Sequence, residues 1–133
     1  MPFRLTKNLK TVLDAQAANG VGNTIASQEY KDIMIQVSTE GSADLTLRVQ
    51  GSLSDESPDF SQPASRTNHW EYISLFGTVD AALINGGVGI VPGGTDIVRN
   101  FIVNTDGFNF INCEVSSYVA GNVTVGAKCY NNS

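Results

Sequence analysis

Between Ala43 and Gly51 apolar and polar residues alternate without interruption. Ala43, Leu45, Leu47, Val49 and Gly51 fall on one side, and Asp44, Thr46, Arg48 and Gln50 on the other. Successive side chains of a β-strand point to opposite faces, so this stretch reads as a strand with one dry and one wet side. A chain that contains such a strand must supply a second apolar layer to cover the dry face. Ile33, Ile35 and Val37, alternating with Asp32, Met34 and Gln36, offer the same pattern. The intervening Ser38-Thr39-Glu40-Gly41-Ser42 predicts a turn that makes the two stretches a hairpin.

Further strands are predicted at 10–14, 24–27, 70–76, 97–104, 108–118 and 123–130, where β-branched and aromatic residues gather. Asn85-Gly86, set between Ala-Ala-Leu-Ile and Val-Gly-Ile-Val, predicts a type I′ hairpin. Asp106-Gly107 and Ala120-Gly121 read as turns separating the last three strands. No segment carries a convincing helical period. About eight antiparallel strands without helices imply a single-domain, all-β sandwich of jelly-roll type.

The chain has 133 residues, 41% of them hydrophobic and 16% charged, which suits one folded domain with one core. The expected organisation is a basic N-terminal arm at 1–9 followed by the sandwich at 10–133. Arg4, Lys7 and Lys10 precede any acid, whereas the whole chain has a formal net charge of −5. No strand partner is evident for the arm, and Phe3 and Leu5 have no evident place in the core. An acidic body lacks the clustered Lys and Arg that nucleic acid requires. No stretch approaches the roughly 18 apolar residues of a membrane-spanning helix, and no signal peptide is visible. Synthesis in a cytoplasm, with no membrane and no nucleic-acid partner, is therefore expected. The Asn-x-Ser/Thr sequences at Asn122 and Asn131 read as chance matches.

The residues that carry chemistry elsewhere do not assemble into a reactive pattern here. His69 is the single histidine, and nothing places Cys113, Cys129 or a serine beside it. The two cysteines read as small buried hydrophobes, with a cross-strand disulfide as the alternative. Asp55, Glu56 and Asp59 cluster in the long loop 54–69 but lack the ordered spacing of a calcium loop. The glycines from Gly86 to Gly94 lack the Gly-Lys-Ser/Thr ending of a phosphate loop. No enzyme, cofactor or metal is expected. Two segments stand out for partner binding: the arm with Phe3, Arg4, Leu5 and Lys7, and the long loop with Pro58, Phe60 and Pro63, followed by Trp70. Phe60, Trp70, Tyr72 and His69 together offer an aromatic platform of the kind that carbohydrate-binding sandwiches use.

The run from Ser42 to Ser52, Pro58-Asp59-Phe60, Asn68-His69-Trp70, Val98-Arg99-Asn100-Phe101 and Val103-Asn104 resemble small virion structural proteins of tailed bacteriophages. The likeness extends over residues 10–130. It implies a capsid cement or decoration protein, homotrimeric, that sits on the outer surface of the virion shell and bridges copies of the major capsid protein. A neck or tail component, or a module that binds carbohydrate on the host surface, is the alternative.

Overall fold

The computed structural model describes residues 4–6, 9–27, 30, 32–104 and 108–132. Ten strands form one antiparallel sheet, and no helix occurs among the described residues. They are β1 (Arg4–Thr6), β2 (Lys10–Gln16), β3 (Gly20–Val21), β4 (Ile25–Ala26), β5 (Asp32–Ser52), β6 (Glu71–Ile73), β7 (Leu75–Gly77), β8 (Leu83–Ile84), β9 (Val98–Asn104) and β10 (Phe110–Asn132). The sheet order is β1-β10-β5-β9-β7-β8. In addition β2, β3 and β4 pair with β10, and β6 pairs with β5.

The two long strands organise everything else. β5 and β10 are paired from Asp32↔Tyr130 to Ser52↔Phe110. The expected hairpin at 38–42 does not form, and neither does the turn at Ala120-Gly121. Both segments are bends inside continuous strands, and they sit opposite each other. Gly41 (φ 76°) and Ser42 (55°) bend β5, while Ser117 (51°) and Gly121 (78°) bend β10. The register slips only between Ser116 and Asn122, where the extra residues of the bend are accommodated. Glycine is required at this corner for space as well as for φ. A Cβ on Gly121 would lie 2.6 Å from Ala43 Cα and from the Glu40 carbonyl oxygen, and one on Gly41 would lie 3.2 Å from Gly121 Cα.

The bend folds the ladder over one core. Ile33, Ile35 and Val37 point inward before it, and Ala43, Leu45, Leu47 and Val49 after it. On β10 the inward positions are Ile111, Cys113 and Val115, then Val123, Val125, Ala127 and Cys129. The predicted alternation therefore names the buried side chains of 43–49 correctly. Phe101 and Val103 of β9, Val12 and Leu13 of β2, and Leu75 of β7 complete the same cluster.

Asn85-Gly86 does not make the predicted type I′ hairpin, since neither residue has positive φ. β8 pairs with β7 instead, and Ile90 exchanges both backbone hydrogen bonds with Leu47 at 2.8 and 2.9 Å. Gly86 is held by proximity: a Cβ there would come within 2.7 Å of the Ile73 backbone. The predicted turn at Asp106-Gly107 lies outside the described residues. The arm is paired at its centre, for Arg4, Leu5 and Thr6 stand opposite Asn132, Asn131 and Tyr130 of β10.

Cys113 and Cys129 are both buried on β10, opposite Val49 and Ile33. They lie on one strand and do not face each other, so no cross-strand disulfide joins them. Burial in this apolar layer pushes the Cys113 thiol from 9.0 up to about 12. The folded state thus holds this proton more tightly than the unfolded chain. Its contribution to stability is complete below pH 9 and is lost as the pH rises toward 12. Urea titrations at pH 7.5 and pH 10 should show a lower midpoint at the higher pH. Cys113→Ala should reduce that difference; an equal drop in the variant would assign it to other groups.

Candidate functional site

Past the bend, the outer face of the ladder is polar. Antiparallel register sets Arg48 against Glu114, Thr46 against Ser116, and Gln50 between Asn112 and Tyr72. Side chains directly opposite on one face lie within reach of each other. The Arg48 guanidinium comes within 3.7 Å of Glu114 Oε1 and sits 5.1 Å from the centre of the Tyr72 ring. Its Nε donates to the Gly87 carbonyl at 2.8 Å, and its Nη1 donates to Ser116 Oγ at 3.3 Å. Tyr72 donates its hydroxyl to Glu114 Oε1 at 2.8 Å. Burial, reinforced by that bond and by the Glu114 charge, raises the Tyr72 hydroxyl above its ordinary pKa, with Arg48 pulling the other way. Three strands thus contribute to one rigid polar cluster.

The long loop folds down beside this cluster. Asn68 staples it: its Oδ1 accepts from Asp59 N at 2.7 Å, and its Nδ2 donates to the carbonyls of Asp59 at 2.8 Å and Pro63 at 3.2 Å. Trp70 Nε1 donates to the Gln62 carbonyl at 3.0 Å, and Gln50 Nε2 to the Phe60 carbonyl at 2.9 Å. Gln50, placed by its alternation on the wet face, is consequently buried beneath the loop. The loop is ordered by these polar contacts as well as by its prolines.

Phe60 and Trp70 turn inward, only 3% and 9% exposed, with ring centres 6.3 Å apart. Trp70 in turn meets Tyr72 edge-on at 5.1 Å. The expected flat aromatic platform does not exist, and His69 stands exposed apart from these rings, its carbonyl accepting from Ser52 Oγ. On the surface the loop presents Pro63, with Pro58 half-buried. Of the arm residues, Arg4 and Leu5 lie in β1, while Phe3 and Lys7 fall outside the described residues. Among the described residues the arm and the long loop do not meet: β1 pairs with the far end of β10.

Between the sheet and the loop runs an open groove of about 500 Å³. Arg48, Tyr72, Glu114 and Ser116 floor it, Asn19 to Val21 form one wall, and Ser61 begins the other. A second hollow of about 260 Å³ adjoins it, sharing Ser61, Tyr72 and Glu114 and reaching Gln62, Pro63, Ala64 and Trp70. Sequence reasoning found Tyr72 but missed Arg48, Glu114 and Ser116. Each is an ordinary polar residue on the wet side of a strand, and only the pairing of β5 with β10 unites them.

A different surface lies before the bend. Leu83, Phe76, Ile102 and Met34 are successive cross-strand neighbours over β8, β7, β9 and β5. Leu83 is 63% and Phe76 47% exposed, and Val98 on the same outward face of β9 is 79% exposed. This apolar row runs to β8, the last strand of the sheet order.

The remaining clusters are structural. Asp59 accepts from the backbone N–H and hydroxyl of Ser61, which lowers its pKa. No group of three His, Cys, Asp or Glu side chains is gathered for a metal ion among the described residues. The glycines of 86–94 form turns along β5, with Gly94 N donating to the Ala43 carbonyl.

No family model and no curated protein matches the sequence. Among solved structures, the crystal structure of SPBc2 prophage-derived protein YomS superposes with a TM-score of 0.69 at 13% identity, covering 98% of this chain and 96% of that one. At this identity the likeness is one of architecture: the chain shares its all-β fold, over nearly its full length, with YomS.

Proposed function

We propose that the protein is a bacteriophage virion component that binds the outer surface of an assembled capsid and stabilises it as a cement, or decoration, protein. The observation that carries this reading is the full-length likeness of fold to a prophage-derived protein. The sequence resemblance to small phage virion proteins points the same way. A cement protein stabilises its shell by binding the assembled lattice and not the free subunits, so its binding energy becomes assembly energy. Many copies on one lattice multiply a modest affinity. In this reading it performs no catalysis and its partner is the major capsid protein.

Two surfaces suit that task. The apolar row from Met34 to Leu83 ends at a sheet edge, and exposed edges and apolar patches are the places where β-proteins associate. Association into a homotrimer would cover part of it with closed symmetry. The basic residues Arg4 and Lys7, on a chain of net charge −5, suit an acidic patch on the shell.

The test is to add the purified protein to capsids that lack it. Electron microscopy should show saturable, symmetric density on the shell exterior, and the decorated shells should resist heat better. Arg4→Glu with Lys7→Glu should weaken decoration more at low salt than at high salt, because exposed charges are screened over about 8–10 Å at physiological ionic strength. Density confined to the neck or tail would place the protein there instead. Bare shells at saturating protein would overturn the cement reading.

A further inference from the structure

We infer that the groove between the Asn19–Val21 segment and the long loop, floored by Arg48, Tyr72 and Glu114, is a binding site for a neutral oligosaccharide. The inference rests on the groove alone and is independent of the shell reading.

Charge narrows the ligand class first. The floor holds one cation and one anion already paired at 3.7 Å. A phosphate or nucleotide would meet the Glu114 carboxylate, and a cationic ligand would meet Arg48, each without a spare counter-charge. A neutral ligand incurs neither cost. Hydrogen bonding narrows it further. Tyr72 and Arg48 both engage Glu114 through Oε1, which leaves Oε2 without a protein partner among the described residues. Asn19 uses Oδ1 to accept from Tyr118 N, so its amide group can still donate. A carboxylate, an amide and a guanidinium are planar groups that can engage neighbouring hydroxyls in pairs, and vicinal hydroxyls that both donate and accept are the signature of a sugar.

Shape and rigidity agree. Sugars also present apolar C–H faces, and the adjoining hollow offers Pro63, Ala64 and the Trp70 edge. The two hollows, about 500 and 260 Å³, share a boundary and together lie in the range of ordinary ligand sites. Arg48 is held by Gly87, Ser116 and Glu114, and the loop is stapled by Asn68, so little ordering is left to oppose binding. The groove lies after the bend and the apolar row before it. The two surfaces are therefore separate, and one can be covered while the other stays open.

The test is an array of neutral and acidic oligosaccharides, followed by NMR titration of the ¹⁵N-labelled protein with soluble hexasaccharides of glucose, galactose and N-acetylglucosamine. At least one neutral glycan should bind and shift the amide signals of Gly20, Val21, Ser61 and Ser116. Glu114→Gln should weaken that binding at least tenfold. Ser61→Trp, at an exposed loop position, should block the groove without disturbing the core; a thermal melt matching that of the parent verifies the fold. Absence of binding to every neutral glycan at millimolar concentration, selectivity for acidic glycans, or unchanged affinity in a folded Ser61→Trp protein would each overturn the assignment.

Discussion

Phe101→Ala should lower the unfolding free energy by about 3–5 kcal/mol, the usual loss for an aromatic ring removed from a packed core. Phe101 is fully buried on β9, paired with Ile35 of β5 on one side and Gly77 of β7 on the other. The ring therefore closes the core where the first half of the ladder meets β7. Gly77 has no side chain, and the Arg99 guanidinium takes the space beside it, 4.9 Å from the centre of the Phe101 ring. Phe76, one residue earlier on β7, faces outward, and Phe76→Ala should change stability by only about 0.5 kcal/mol or less. Urea unfolding of the two variants provides the comparison. Equal losses would mean that β7 and β9 are paired one residue out of register, since a one-residue slip exchanges the faces of a strand.

Gly121→Ala is the second large effect. A non-glycine residue at φ 78° costs about 1–2 kcal/mol in backbone strain. The new methyl group would also fall 2.6 Å from the Ala43 Cα and from the Glu40 carbonyl oxygen, and forcing atoms into a filled site typically costs a further 1–3 kcal/mol or so. A total loss of about 2–5 kcal/mol is expected. Gly93→Ala is the matched control, because Gly93 has φ 68° with nothing within 4 Å of the added carbon. It should show the strain alone, about 1–2 kcal/mol. If the two substitutions cost the same, the close approach of β5 and β10 at the bend is not what glycine serves there.

That bend marks the line between local and global information in this chain. The alternation at Ala43 to Val49 names its buried side chains correctly, because the two-residue period is a property of the strand itself. For the same reason the strands expected at 97–104 and 108–118, the second of which runs on to Asn132, and the burial of Cys113 and Cys129 are legible in the sequence; at 10–14 the adjacent Val12 and Leu13 are both buried and the period does not hold. Gly41 and Gly121 are legible only as places where the chain can turn. Whether a glycine ends a strand or bends it depends on whether a partner continues past it. At Gly41 the partner is β10, roughly eighty positions further along, whose own glycine lies alongside. Asn85-Gly86 shows the same dependence: the strand expected to fold back onto Leu83 and Ile84 finds Leu47 instead.

The groove divides in the same way. Composition along the strands announces that Arg48 and Glu114 face away from the core. Nothing within a few residues of either reveals that they face each other, or that Tyr72 and the loop beyond Asn68 close around them. The sequence by itself determined which side of the long strands is dry, through a periodicity set by backbone geometry. Tertiary structure alone decided where the long strands bend and which polar residues meet on the wet side, because both are consequences of pairing between segments far apart in the chain.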